Sequence, residues 1–252
     1  MCARIHVHML PDLVPSVSES TVVVIDVLRA TTTMSQALAA GAIGIVPVLT
    51  IEEAHRQAGM FDPPALTGGE RGGRPIDGFD LGNSPADYTA ERVGGRWIVF
   101  TTTNGTRAIH ACRGAQRVLL GAFVNLSAVC DALSDARQID IVCAGTRGQI
   151  TREDVLAAGA ITMQLAGEES TSNGTAWELN DQAHLAMDAW QRQVQHMTGA
   201  TWLAQLLRRT EGGRNLLDIG LDDDLDWAAE LDRLELVPVW DAQTNRITAP
   251  TS

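Results

Sequence analysis

Four segments gather the side chains that chemistry needs; the first, third and fourth each follow an apolar run and precede a helical one, and the second is a glycine-rich stretch. In the first, Asp26 closes the run Val22 to Ile25 and is followed by Arg29 and three threonines, Thr31 to Thr33. An acid where an apolar strand ends suits attack on phosphorus or ligation of a metal ion. The competing role, N-cap of the next helix, suits the threonines better because they lie nearer to it. The second, Thr67 to Tyr88, carries six glycines, four acids and two arginines. Glycine at that density lets backbone N–H groups approach an anion, and Glu70, Arg71, Asp80 and Asn83 are too many functional groups for a plain connector. The third, Thr101 to Thr106, sets hydroxyls and an Asn-Gly pair at a strand-to-helix turn, a neutral anion cradle with Arg107 beside it. The fourth runs from Cys143 to Gly159. Arg147 follows Cys143 by four positions, too close for a cysteinyl-phosphate loop, so Cys143 reads as a small buried residue.

Elements that position these segments follow from the apolar pattern. Strands are expected at Thr21 to Val27, Ile43 to Leu49, Trp97 to Thr101, Arg117 to Leu120 and Ile139 to Ala144. Helices are expected at Met34 to Ala40, Arg107 to Arg113 and Arg152 to Leu165, closed in the first two cases by Gly41 and Gly114. The first two strand-turn-helix-strand units match at a constant offset of 73 residues, Thr33 on Thr106 and Gly41 on Gly114, which hints at a duplicated βαβ unit. After about residue 176 the chain reads as helical, with amphipathic stretches at Glu178 to His196 and Thr201 to Arg209. An acidic helix start follows at Asp222 to Asp224, and a last strand at Leu234 to Val239. No linker divides the chain, so a single α/β domain is expected over residues 1–252. It would be a three-layer α/β/α fold on a parallel or mixed sheet, with the site outside the carboxyl ends of its strands.

Composition removes several function classes. With 252 residues, 45% of them apolar, the chain can bury a core without staples. All 19 basic residues are arginine, so Schiff-base chemistry and a Walker-type P-loop are excluded. A net charge of −12 disfavours nucleic acid and anionic membranes. Cys2, Cys112, Cys130 and Cys143 are scattered, which fits neither a zinc site nor a disulfide framework. No apolar run approaches the roughly 20 residues of a membrane span, and the expected location is the cytoplasm. Leu28 stands where phosphatases of the haloacid dehalogenase type place a second acid, against membership of that group.

The strings VVVIDVLRATTT, GERGG, GFDLGNSP, TTTNGT, CAG and EDVLAAGA, in this order, resemble the 2-phosphosulfolactate phosphatase family over nearly the whole chain. The stretch from Gly213 through Leu216, Gly220, Asp224 and Asp232 to Pro238 resembles that family's ending. The resemblance implies an α/β/α phosphatase dependent on Mg²⁺. Its substrate would be (2R)-2-phospho-3-sulfolactate, hydrolysed to sulfolactate and phosphate in coenzyme M biosynthesis, or a related acidic phosphorylated molecule. With the four segments it gives Asp26, Arg29, Glu70 and Asp80 as expected catalytic groups. Arg71, Asn83, Ser84, Thr103, Asn104, Gly105, Thr106, Gly145 and Arg147 are the expected substrate contacts, and Asp26, Glu70, Asp80, Glu153 and Asp154 the expected metal ligands.

Such a substrate carries several negative charges, and Arg29, Arg71, Arg107 and Arg147 lie in or beside the four segments. A divalent ion would add the positive charge that the chain lacks. No histidine falls in these segments. His6 and His8 are expected to alternate across an edge strand, leaving acid-base work to a carboxyl group or a metal-bound water. The expected partner is a small anionic phosphorylated molecule, with a homodimer left open. A non-catalytic binding protein for a phosphorylated or sulfonated effector is the rival, but it gains nothing from Asp26, Glu70 and Asp80 unless a metal intervenes. A metal-dependent phosphotransferase fits the same residues.

Overall fold

The β-branched runs Thr21–Ile25 and Gln138–Cys143 lie side by side at the heart of a sheet, in a computed structural model that describes residues 3–14, 17–167, 176–196 and 199–249. Cys2 is outside the described residues. The strands are β1 (Ala3–His8), β2 (Thr21–Ile25), β3 (Gly44–Pro47), β4 (Leu66–Arg71), β5 (Arg74–Pro75), β6 (Trp97–Thr101), β7 (Arg117–Gly121), β8 (Gln138–Cys143), β9 (Trp177–Leu179), β10 (Val239–Asp241) and β11 (Arg246–Thr248). The helices are α1 (Ala30–Ala39), α2 (Ile51–Ala58), α3 (Ala90–Val93), α4 (Gly105–Ala111), α5 (Leu126–Ala132), α6 (Arg152–Ala166), α7 (Asp181–Val194), α8 (Trp202–Leu207), α9 (Glu211–Asp218) and α10 (Asp223–Ala228). Alternate residues of β2 serve different cores. Val23 and Ile25 pack into a cluster with residues of α5 to α8, while Val22 and Val24 pack with residues of α1 and α4. Helices therefore cover both faces, and the α/β class holds.

The strand order is β5-β4-β6-β3-β11-β10-β7-β2-β8-β1-β9. It divides into two parallel blocks, β4-β6-β3 and β7-β2-β8-β1-β9, joined by the antiparallel hairpin β10-β11. Each of the three junctions across the hairpin is antiparallel, so the blocks run in opposite senses. This corrects the expected pair of simple βαβ units. The connection β2-α1-β3 leaves one block for the other, and β6-α4-β7 returns. The units exchange strands: β2 pairs with β7, and β6 with β3. Their turns are alike, but the match is of Thr31 with Thr106 and not of Thr33, whose hydroxyl donates to Asn83 O. Thr31 Oγ1 donates to Asp26 O at 2.9 Å and accepts from Asp26 N–H at 3.1 Å, and Thr106 Oγ1 does the same to Thr102 at 2.9 and 3.3 Å.

Other expectations also change. The glycine-rich segment is not all loop: Leu66–Arg71 is β4, hydrogen-bonded to β6, and its glycines serve close packing. A Cβ on Gly69, whose φ is +134°, would lie 1.9 Å from Thr101 O. Helix α1 starts at Ala30, so the threonines lie inside it, and Thr32 and Thr31 donate back to carbonyls of Val27 and Asp26 instead of capping. The C-terminal part adds strands as well as helices: β9 pairs with β1, and the last strand expected from Leu234 begins at Val239 as one arm of a hairpin. Strand β1 is not at the edge, because β9 flanks it. His8 is buried there, its Nε2 2.6 Å from Asp140 Oδ1.

Candidate active site

The carboxyl ends of β2, β4, β6 and β8 meet at a cavity of about 210 Å³, whose far wall is α9. Asp26, Arg29, Glu70, Asn83, Thr103, Asn104 and Arg147 line it with Gly72, Gly73 and residues of α9 such as Gly212 and Asn215. Seven of the expected site residues are thus brought together from segments far apart in sequence.

Asp26 follows β2 and sits before α1. Its Oδ1 accepts the Ala30 N–H at 3.3 Å, so the acid takes a first-turn donor that the threonines were expected to take. Its Oδ2 faces the start of α4, where a Cβ on Gly105 would lie 2.6 Å away. Burial, then repulsion from Glu70 and Glu153, pushes its carboxyl up to about 7, outweighing the Ala30 hydrogen bond and the Arg29 charge. The site therefore holds more negative charge than its own donors satisfy. Glu70 is better supplied: Thr103 N–H and Gly73 N–H donate to it at 2.7 and 2.6 Å, and Thr103 Oγ1 at 3.2 Å. It ties the β4-β5 turn to the turn after β6.

Arg29 is buried at 4% exposure. Its Nη1 donates to Asp224 Oδ2 at 2.7 Å and its Nη2 to Gly73 O at 2.6 Å. Across the cavity, Arg147 stands in the left-handed region at φ 54°, with Gly148 next to it at φ 75°. Thr146 and Gln149 close this two-residue turn with backbone bonds of 2.9 Å each way, and Asn104 Oδ1 accepts the Arg147 N–H at 3.1 Å. A non-glycine residue in that region costs roughly 1–2 kcal/mol, and such strain collects at functional sites. Among the described residues no protein group pairs with the Arg147 guanidinium.

Glu153 and Asp154 open α6 just outside the cavity lining. Asp154 accepts from Val27 N–H at 2.9 Å, Gly145 N–H at 3.0 Å and Thr151 Oγ1 at 3.0 Å, which locks the ends of β2 and β8 together. Burial and the charges of Asp26 and Glu153 nevertheless push its carboxyl well up. Glu153 packs so closely under α9 that a Cβ on Gly212 would lie 2.0 Å from its Oε1. Burial raises its carboxyl too, and its Oε2 has no hydrogen-bond partner. Asn83 Oδ1 is a second buried oxygen without a partner.

The remaining expected residues lie elsewhere. Asp80 is exposed and accepts from Thr67 N–H and Oγ1 at 2.8 Å each, fastening the loop to β4 outside the cavity. The Arg71 guanidinium is spent on Glu70 O, Leu49 O and Thr101 Oγ1. Thr106 is bonded to Thr102, and Gly105 and Gly145 act through close packing and a backbone N–H. Arg107 lines a neighbouring cavity of about 330 Å³ with His110 and Leu49, on the far side of Asn104. Ser84 Oγ donates to Asp224 Oδ1 at 2.5 Å. The sequence reading did not assign Asp224 or the wall formed by α9. Their signals were an acidic helix start, a Gly-Gly pair and the resemblance of Gly213, Leu216 and Asp224 to the family's ending, none of which gave them a role in the site.

Among the described residues, no three Asp, Glu, His or Cys side chains are arranged to hold a metal ion by themselves. Mg²⁺ does not require such a cage, since it is commonly held by one or two carboxylates together with substrate oxygens and water. Two unpartnered buried oxygens beside an acid raised to about 7 are hard donors of the kind it takes.

Residues 8–243 match the 2-phosphosulpholactate phosphatase family. Similar proteins include a probable 2-phosphosulfolactate phosphatase of Symbiobacterium thermophilum, 43% identical over 86% of this chain and 90% of that protein. A protein of the same name from Carboxydothermus hydrogenoformans is 35% identical over 99% of this chain and 98% of its own. One from Thermotoga maritima is 37% identical over 86% and 88%. By the match over residues 8–243 and by its likeness to these relatives over most of both lengths, the chain belongs to the 2-phosphosulpholactate phosphatase family.

Proposed function

We propose that the protein is a phosphoric monoester hydrolase that cleaves 2-phospho-3-sulfolactate to sulfolactate and phosphate, with Mg²⁺ as its cofactor. The observation that carries this reading is the pairing in one cavity of a buried acid, Asp26, with a buried arginine, Arg29, at a strand end and helix start. The family and the names of the relatives support the ester; Arg29 and Arg147 on the cavity lining support its charge.

Arg29 receives the phosphoryl oxygens, because a guanidinium is the donor that suits them. Arg147, held at the cavity by its turn and by Asn104, receives the sulfonate of the substrate. Asp26 and Asn83, both on the cavity lining, are the residues that would hold Mg²⁺. Mg²⁺ would supply positive charge to the phosphoryl oxygens and favour the ionised form of Asp26. Glu70 fixes the opposite wall through its three donors and keeps Gly73 where Arg29 can reach it. The α9 wall narrows the opening and favours a small ester over a polymer.

The rival of a non-catalytic sensor is less well supported, since a ligand with several negative charges would face Asp26 and Glu70 with no chemistry to gain. Cys112, Cys130 and Cys143 are buried free thiols, which supports a reducing compartment and so the cytoplasm. No described helix is long and apolar enough to cross a membrane. The test is phosphate release from 2-phospho-3-sulfolactate with Mg²⁺ and after chelation. Release that stops with the chelator and returns with Mg²⁺ is expected. No release from this ester under any metal condition refutes the substrate, and full rates in chelator refute the cofactor.

A further inference from the structure

Asp224 is contributed by α10, near the end of the chain and 195 positions from its main partner. It is 2% exposed, and both of its oxygens are engaged by groups at the cavity. Oδ2 takes the Arg29 Nη1 donor at 2.7 Å, and Oδ1 takes the Ser84 hydroxyl at 2.5 Å. Ser84 follows Asn83, whose unpartnered Oδ1 belongs to the cavity wall. Arg29 has a second fixed acceptor in Gly73 O at 2.6 Å. Its remaining N–H donors have no partner among the described residues.

An arginine side chain has many rotamers, and an unbraced one would lie against the nearest acids. Asp26 and Glu70 both line the same cavity and would compete for it. Engaging the two terminal nitrogens from opposite sides, by Asp224 and Gly73, removes that freedom before a ligand arrives. The same carboxylate holds the Asn83-Ser84 segment, so one residue sets two sides of the site.

We propose that Asp224 is a positioning residue for the reaction: it holds the Arg29 guanidinium, and through Ser84 the Asn83 wall, in the geometry that receives the oxyanion. This role rests on the reading of the cavity as a phosphoryl site and extends it to α10. The C-terminal helical part is then a component of the site and not only its cover.

A double-mutant cycle tests this, read in two ways: affinity for inorganic phosphate by calorimetry, and kcat/KM for 2-phospho-3-sulfolactate. Asp224→Asn keeps the volume but removes the charge that holds Arg29. It is expected to weaken phosphate binding by at least about tenfold and to lower kcat/KM by about 10²-fold, the scale of misplacing one oxyanion donor. In an Arg29→Gln background, Asp224→Asn should cause little further loss of either quantity, because its target is gone. Unchanged binding and turnover in the single variant, or losses that multiply in the double variant, would overturn the proposal. If Asp224→Asn does not fold, Ser84→Ala enters the same cycle. It leaves the Arg29 pair intact and frees only Oδ1, so it reports on the Asn83 wall: kcat/KM should fall roughly tenfold, and the loss should multiply with that of Arg29→Gln. Ser84→Ala at full activity counts equally against the proposal. The two readouts separate the levels of the argument. Wild-type protein that binds phosphate but releases none from the ester refutes the assigned substrate, while the binding cycle still judges Asp224. Wild-type protein that binds no phosphate refutes the role of Arg29 and with it that of Asp224.

Discussion

Asp26→Asn should make the protein more stable and inactive at once. The folded state raises this carboxyl from 3.8 to about 7, so between those values it binds a proton that the unfolded chain has released. Stability from this group is full below about pH 4, falls as pH rises through about 7, and is lost above it. About three pH units at 1.36 kcal/mol each come to about 4 kcal/mol of penalty at pH 8. Asparagine carries no charge to desolvate and keeps an oxygen for the Ala30 N–H, so the variant avoids the penalty. For a chain of this size, about 4 kcal/mol corresponds to a rise in Tm of roughly 10 °C. The assay is Tm against pH from 4 to 8 for both proteins in chelator, with turnover measured on the same samples after Mg²⁺ is restored. The two curves should coincide near pH 4 and diverge towards pH 8, the variant higher. Its kcat should fall by at least about 10²-fold, since the charge that serves the phosphoryl group has gone. Equal Tm values at pH 8, or a variant that keeps its turnover, would refute the reasoning.

Gly105→Ala sets a methyl group 2.5 Å from Ala30 Cβ and 2.6 Å from Asp26 Oδ2, so the starts of α1 and α4 must part. Urea unfolding should show a loss of about 1–3 kcal/mol, and kcat should drop with it; a neutral outcome would mean that the two helix starts are not fixed against each other. Arg147→Ala removes a contact to the group that does not react, so KM should rise about 10- to 10²-fold with kcat nearly unchanged, the scale of one charge-assisted hydrogen bond. A fall in kcat at constant KM would instead put Arg147 at the phosphoryl group.

The strand ends that carry chemistry were legible because each is a local pattern: an apolar β-branched run, a polar turn, a helix. Asp26, Thr103 and Asn104 reached the cavity for that reason, whereas Glu70, on a strand that its glycines made look like loop, was legible only as an acid in a dense group of polar residues. The sense of the two blocks was not legible, since it depends on a short hairpin, Val239–Asp241 with Arg246–Thr248, seated between β7 and β3. Asp80 and Arg71 show the limit of reading residue types. Each has the chemistry of a site, but donors and acceptors on neighbouring backbone claim them first. His8 looked like an edge residue because β9, which pairs with β1 only at Ala3 to Ile5, has no strong alternation, and because its partner Asp140 lies 132 positions away on β8. The Arg29 partner could not be found from pattern at all, because a contact between a strand-end turn and α10 leaves no periodicity in either.

The most direct test compares initial rates on two esters, 2-phospho-3-sulfolactate and 2-phospholactate, which differ in the sulfonate. The sulfonated ester is expected to have a kcat/KM larger by at least roughly tenfold, as one charge-assisted hydrogen bond from Arg147 to the sulfonate would give. Equal values would contradict this, because both esters carry the carboxylate and Arg147 would then not be receiving the sulfonate.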